Sequence, residues 1–145
     1  MKFKDTTFGN MSDKVWKGNI YLTWVQLTSL EGAPKEVKGD FECYGNNLKN
    51  LKYTPKVVQG DFICSTNDIA TFIELPKIVN GNFDCCNNRL TQEEIDKLVQ
   101  VKIGGEIKVS KGLIVPTKND YKLYNRLHKD MKKFIKIKNL KAKLK

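Results

Sequence analysis

The sequence predicts an α/β solenoid: a stack of similar short coils built on a short-stranded parallel sheet, with few helices in the repeats and a helix at the C-terminal end. Three observations carry this expectation. Gly18, Gly39, Gly60 and Gly81 stand 21 residues apart. The segments opening on three of them are near copies: GDFECYGNN at 39–47, GDFICSTND at 60–68 and GNFDCCNNR at 81–89. Apolar residues then recur at fixed offsets from each glycine. One such unit is too short to bury its own apolar residues, so stacked neighbours must share a continuous core.

Taken in order, residues 1–17 are mixed and polar, anchored by Phe3, Phe8, Val15 and Trp16, and are expected to cap the stack with a hairpin or short helix. The repeats fill residues 18–110. Two residues after each coil's glycine come Ile20, Phe41, Phe62, Phe83 and, after an insertion, Ile107; four after it come Leu22, Cys43, Cys64, Cys85 and Val109. Residues two apart face the same side of a strand, so these form an inward ladder. Asn46, Asn67 and Asn88 follow at a corner, where a side-chain amide can bond backbone groups of the coils above and below. Leu27, Leu48, Ile69 and Leu90, then Leu30, Leu51 and Phe72, mark an apolar return path. Pro34, Pro55 and Pro76 precede Val37, Val58 and Val79 and suit an extended return better than a helix.

The ends depart from this code. The first coil has Val25 in the asparagine position, with Trp24 before it. The fourth carries three extra residues, in which Thr91-Gln92-Glu93-Glu94 reads as a capping box and Ile95, Leu98 and Val99 as one helical face. Residues 111–116 close the solenoid. Beyond Thr117, residues Tyr121, Tyr124, Leu127, His128, Met131, Phe134 and Ile135 share one side of an amphipathic helix. That helix is expected to cap the open end. Its phase is lost after Ile135, so it ends near Asn139 or buries its last turns differently.

The run Phe41-Glu42-Cys43-Tyr44-Gly45-Asn46-Asn47-Leu48 resembles the leucine-rich repeat, with Phe and Cys at two of the leucine sites. The wording GAPKEVKGDFECYGNN is similar to leucine-rich-repeat-like proteins encoded by bacteriophages. The resemblance covers about residues 18–110. It implies a right-handed curved solenoid with the parallel sheet on its concave side and proline-bearing returns on its convex side. It further implies a phage-encoded protein acting in the cytoplasm of a host cell.

Composition narrows the function classes. No apolar run approaches the roughly 18 residues that span a bilayer, and Met1-Lys2-Phe3-Lys4-Asp5 begins no secretory signal, so the chain is read as soluble and intracellular. Cys43, Cys64 and Cys85 occupy one repeat position and are expected as buried thiols rather than disulfides. No CxxC pair or histidine lies near them, so neither metal nor cofactor is expected. The net charge of +10 resides in the tail: residues 1–110 hold 14 Lys/Arg and 14 Asp/Glu, residues 111–145 hold 12 Lys/Arg and two Asp.

The outward residues of the strands form the candidate protein-binding face: Tyr21, Asp40, Glu42, Tyr44, Asp61, Ile63, Ser65, Asp84 and Cys86. Aromatic residues set among polar ones are the usual composition of contact surfaces. With Glu106 and Lys108 of the last strand the face carries five carboxylates against one lysine, which favours a basic protein partner. An open sheet offers no pocket to shift a carboxyl's pKa, and no phosphate loop or HExxH is present, so an enzyme is not expected. His128, the single histidine, reads as a helix residue rather than a catalyst. The alternative reading places function in the tail, where Lys132, Lys133, Lys136, Lys138, Lys141, Lys143 and Lys145 would bind RNA or DNA backbone without base recognition.

Overall fold

The structure, a computed structural model, describes residues 1–143 and the side chains of residues 1–130. Each coil lays down two short strands, one on either side of the glycine corner: β1 and β2 (Val15–Trp16, Ile20–Tyr21), β3 and β4 (Glu36–Val37, Phe41–Glu42), β5 and β6 (Val57–Val58, Phe62–Ile63), β7 and β8 (Ile78–Val79, Phe83–Asp84), and β9 and β10 (Lys102–Ile103, Ile107–Lys108). The odd-numbered strands pair into one parallel five-stranded sheet and the even-numbered strands into another. The chain is therefore a parallel-sheet β-solenoid of about four turns.

The second sheet is the one expected from the Phe/Cys alternation. The first adds to the expectation of a single parallel sheet: the extended, proline-bearing return is itself paired. The prolines lack an N–H and sit just before the strands, where no ladder bond is lost. The β-branched pairs that follow, such as Val57-Val58 and Ile78-Val79, then take extended geometry and bond the adjacent coil.

Register explains the repeat. Ile20, Phe41, Phe62, Phe83 and Ile107 lie opposite one another along the second sheet. Phe41, Phe62 and Phe83 are fully buried and stack with ring centroids 5.4 and 5.1 Å apart. Cys43, Cys64 and Cys85 form the next buried row. Opposite them Val37, Val58 and Val79 close the core from the first sheet, with Leu27, Leu48 and Ile69 filling the third side.

Two side-chain ladders hold the corners. Asn67 Nδ2 donates to the carbonyls of Cys43, Cys64 and Ser65 (3.1, 3.1 and 3.2 Å), while its Oδ1 accepts from Leu48 N at 3.0 Å. Asn46 and Asn88 repeat the pattern. Each amide serves its own coil and the preceding one, rather than the coils on both sides. Val25 fits this rule, since an asparagine there would have no complete preceding coil to serve. The second ladder lies at the glycine corner. Asn19, Asp40, Asp61 and Asn82 each accept, through Oδ1, the backbone N–H of the equivalent residue one coil on, at 2.7–2.8 Å.

At the N-terminal end a 3-10 turn at Phe3–Asp5 seats a fully buried Phe3 beside Phe8, whose ring meets Trp16 edge-on. Backbone bonds from Phe3 to Ser29 (3.0 Å) and Lys4 to Glu31 (2.9 Å) close the first coil. At the other end the inserted residues form α1 (Gln92–Asp96), continued by a 3-10 turn, with Ile95 and Leu98 buried. The expected capping box is absent: Thr91 makes no side-chain cap. Glu94 instead accepts the backbone N–H of Phe72 at 3.0 Å and pairs with Lys97 at 2.8 Å. Burying the helix against the preceding coil leaves Phe72 N in need of an acceptor, and Glu94 supplies it.

A reciprocal cap does occur at Thr117 and Asp120, opening α2 (Lys118–Lys143). The helix thus runs past Asn139. Of its expected apolar side, Tyr121 and Tyr124 are half-buried and Leu127 and His128 exposed, while the side chains of Met131, Phe134 and Ile135 lie outside the described residues. The helix packs on the 3-10 turn that follows α1, and Ile107 and Val109 remain partly open. Glu106 and Gly112 stand where earlier coils carry the two ladder residues, so both ladders stop there. Among the described residues no helix is long and apolar enough to cross a membrane.

Candidate functional site

The outer surface of the second sheet gathers all nine residues expected to form a protein-binding face, in three rows one coil apart. Tyr21, Glu42, Ile63 and Asp84 stand side by side in register, with Lys108 at the end. Tyr44, Ser65 and Cys86 form the row beyond the cysteines. Asp40 and Asp61 lie in the row nearest the glycine corner, where one oxygen of each already accepts a backbone N–H. Those two residues therefore maintain the corner, whatever else they contact. Asp84 Oδ1 likewise accepts from Cys86 N at 3.0 Å.

The electrostatics follow from the stacking. Parallel register places like residues about 4.8 Å apart, so acids in adjacent coils repel. Burial, then Asp40 and Asp61, raise the Glu42 carboxyl above its ordinary pKa. Tyr21 is raised by burial and by Asp40 and Glu42. Among the described residues, none of Asp40, Glu42, Asp61, Asp84 and Glu106 forms an ion pair. The face holds an uncompensated negative charge.

One residue of this surface escaped the sequence reading. Trp24 is 68% exposed, with its indole edge-on to Tyr44 at 6.3 Å. It lies so closely over Gly45 that a methyl group on Gly45 would fall 2.5 Å from the ring. Trp24, Gly45, Thr66 and Asn87 share the repeat position that turns the chain with positive φ, between 52 and 72°. At Gly45 the missing side chain makes room for the tryptophan. The signal was a tryptophan where later coils have small or polar residues, beside the first coil's missing asparagine. A polar groove of about 450 Å³ runs from Trp24 along Gln26, Asn47, Thr66 and Asp68.

The first sheet carries the opposite charge. Its corner rows hold lysines in successive coils, a feature equally hidden while the first 110 residues are treated as one neutral block. The Pro-Lys pairs at 34–35, 55–56 and 76–77 were its signal.

The thiols separate cleanly. Cys43 and Cys85 are pushed up to about 12 by burial and Cys64 well above its usual value. Cys86 is half-buried, and burial together with Asp84 raises it too. Since the thiolate is the reactive form, iodoacetamide at pH 8 should label one site per native chain, slowly, at Cys86. The other three should react only after unfolding, as peptide mass mapping would reveal. Early labelling of Cys64 would contradict the buried row.

His128 stacks on Tyr124 at 5.7 Å on the exposed side of α2. Among the described residues no group of three His, Cys, Asp or Glu could hold a metal ion. The side chains of Lys132, Lys133, Lys136, Lys138, Lys141 and Lys143, and the whole of Lys145, lie outside the described residues. No family model, curated protein or solved structure matches the chain.

Proposed function

We propose that the chain is a non-enzymatic protein-binding module whose second-sheet face receives a basic segment of a partner protein. The observation that carries this is the joining, on one rigid surface, of exposed Tyr21 and Trp24, partly exposed Tyr44 and Ile63, and carboxylates without cations. Rigid aromatic side chains supply contact area at low entropic cost, and a lysine or arginine docking beside Glu42 would offset the burial and the repulsion from Asp40 and Asp61 that raise it. In this reading the repeat is leucine-rich-repeat-like. The Phe-x-Cys-x-x-Asn-x-Leu wording and the asparagine ladder support that kinship. The wording is also what favours a phage origin and a host or virion protein as the target, met in the host cytoplasm.

The test is a quantitative pull-down from a bacterial host with the full chain as bait, against a Trp24→Ala/Tyr44→Ala/Glu42→Gln variant. All three side chains are wholly or partly exposed, so the thermal midpoint should hold while retention of a specific protein falls at least thirtyfold. That corresponds to one hot spot of about 2 kcal/mol. Equal retention of the same proteins by both baits would sink the reading.

A further inference from the structure

The sheet across the glycine corner from the acidic face carries a ridge of lysines. Lys35 donates its backbone N–H to the carbonyl of Lys14, Lys56 to Lys35, Lys77 to Lys56 and Lys102 to Lys77, at 2.8–3.0 Å. Lys14, Lys35, Lys56 and Lys77 therefore stack coil upon coil, and Lys102, in register with Ile78, stands in the neighbouring row. With strands about 4.8 Å apart, the row of four extends for roughly 14 Å. Lys17 and Lys38 lie beside it across the same sheet, one coil apart. All seven are exposed. Only Lys38 is paired among the described residues, with Glu36 at 2.8 Å. Asp13 and Glu74 border the ridge in a shallow groove shared with Lys35, Tyr53 and Lys56, leaving the strip strongly positive. The seven lysines are half of the 14 basic residues in the first 110 positions, so the two sheets that meet at the glycine corner carry opposite charge.

We propose that this ridge binds the phosphate backbone of single-stranded nucleic acid, running along the stack. A straight row of cations one strand-spacing apart matches a linear polyanion better than a planar one. A membrane surface would call for exposed apolar side chains among the lysines to insert between lipids; beside the row on this sheet only Val15 is exposed, Val57 and Ile78 being half-buried. The ridge has no arginine to fork onto base edges, so recognition is of charge and not of sequence. This site does not depend on the acidic face, nor on the tail.

The experiment compares two full-length variants with the parent in binding a fluorescent 20-nucleotide single strand between 30 and 200 mM salt. One variant carries Lys35→Gln, Lys56→Gln and Lys77→Gln; the other carries Lys132→Gln, Lys133→Gln and Lys136→Gln. Each phosphate neutralised on a single strand contributes about 0.7 to the slope of log K against log salt. The ridge variant should lose about 2 from that slope and bind on the order of a hundredfold more weakly at 0.1 M salt, with arginine at the three positions restoring both. An unchanged slope in the ridge variant, with loss in the tail variant, would overturn the proposal in favour of the tail. It would equally be overturned if the parent bound no strand at 30 mM salt, or bound vesicles of anionic phospholipid in preference to the strand.

Discussion

Replacing Asn67 with alanine lowers the unfolding free energy by about 2–3 kcal/mol, a large loss for a single polar side chain. Its amide satisfies the carbonyls of Cys43 and Cys64 and the N–H of Leu48, all in the buried interior. Removing the amide leaves Leu48 N without a partner, at about 1–3 kcal/mol, and takes one of two donors from each carbonyl, Asn46 still serving Cys43 and Asn88 still serving Cys64. Aspartate is no remedy, because its second oxygen would face both carbonyls where the amide donates. The neighbouring Asn47 is exposed and has no such duty, so Asn47→Ala should change stability by less than about 0.5 kcal/mol. Urea denaturation of the two variants decides the matter. Equal, small losses would mean that water can enter the corner and replace the amide.

The second large effect is expected at a glycine that has an ordinary backbone conformation. A methyl group at Gly60 would land on Asp40 Oδ1 and within 2.9 Å of the carbonyl carbon of Gly39. It would push aside the carboxylate that accepts Asp61 N at 2.8 Å and lengthen the Gly60-to-Gly39 bond, now 3.0 Å. Gly60→Ala should therefore cost about 2–4 kcal/mol, in the range of overpacked sites. Gly112, with open space around it, has φ +93°, so Gly112→Ala should cost only the strain of that conformation, about 1 kcal/mol. A Gly60 variant as stable as the Gly112 variant would show that the corner can widen without loss.

Much of this architecture is legible from residue spacing alone. The 21-residue period finds the coils, and the alternation at Phe41 and Cys43 finds the inward ladder, because a buried row must repeat the same size and polarity. The first sheet was harder to see. A two-residue strand such as Glu36–Val37 has too few positions for an alternation, so the proline-marked return reads as extended without revealing that it pairs. Glu94 was misassigned because a capping box and a cross-coil acceptor need the same side chain; only the position of Phe72 distinguishes them. The candidate face was legible as a set of positions, since strand alternation names the outward residues. Trp24 was not, because it belongs to a turn rather than a strand. The lysine ridge was overlooked for a different reason. Charges cancel in a sum over sequence, whereas folding places them on separate surfaces.

The direction of the asparagine ladder has a consequence for how the chain is made. Each amide reaches back to the coil before it, never forward. A coil emerging from the ribosome therefore has its buried corner completed 21 residues later, when its successor arrives with the missing acceptor and a second donor. Synthesis and assembly run in the same sense. The first coil, already closed by Phe3 and the residues around it, serves as the template, and every addition repairs the exposed end left by the one before.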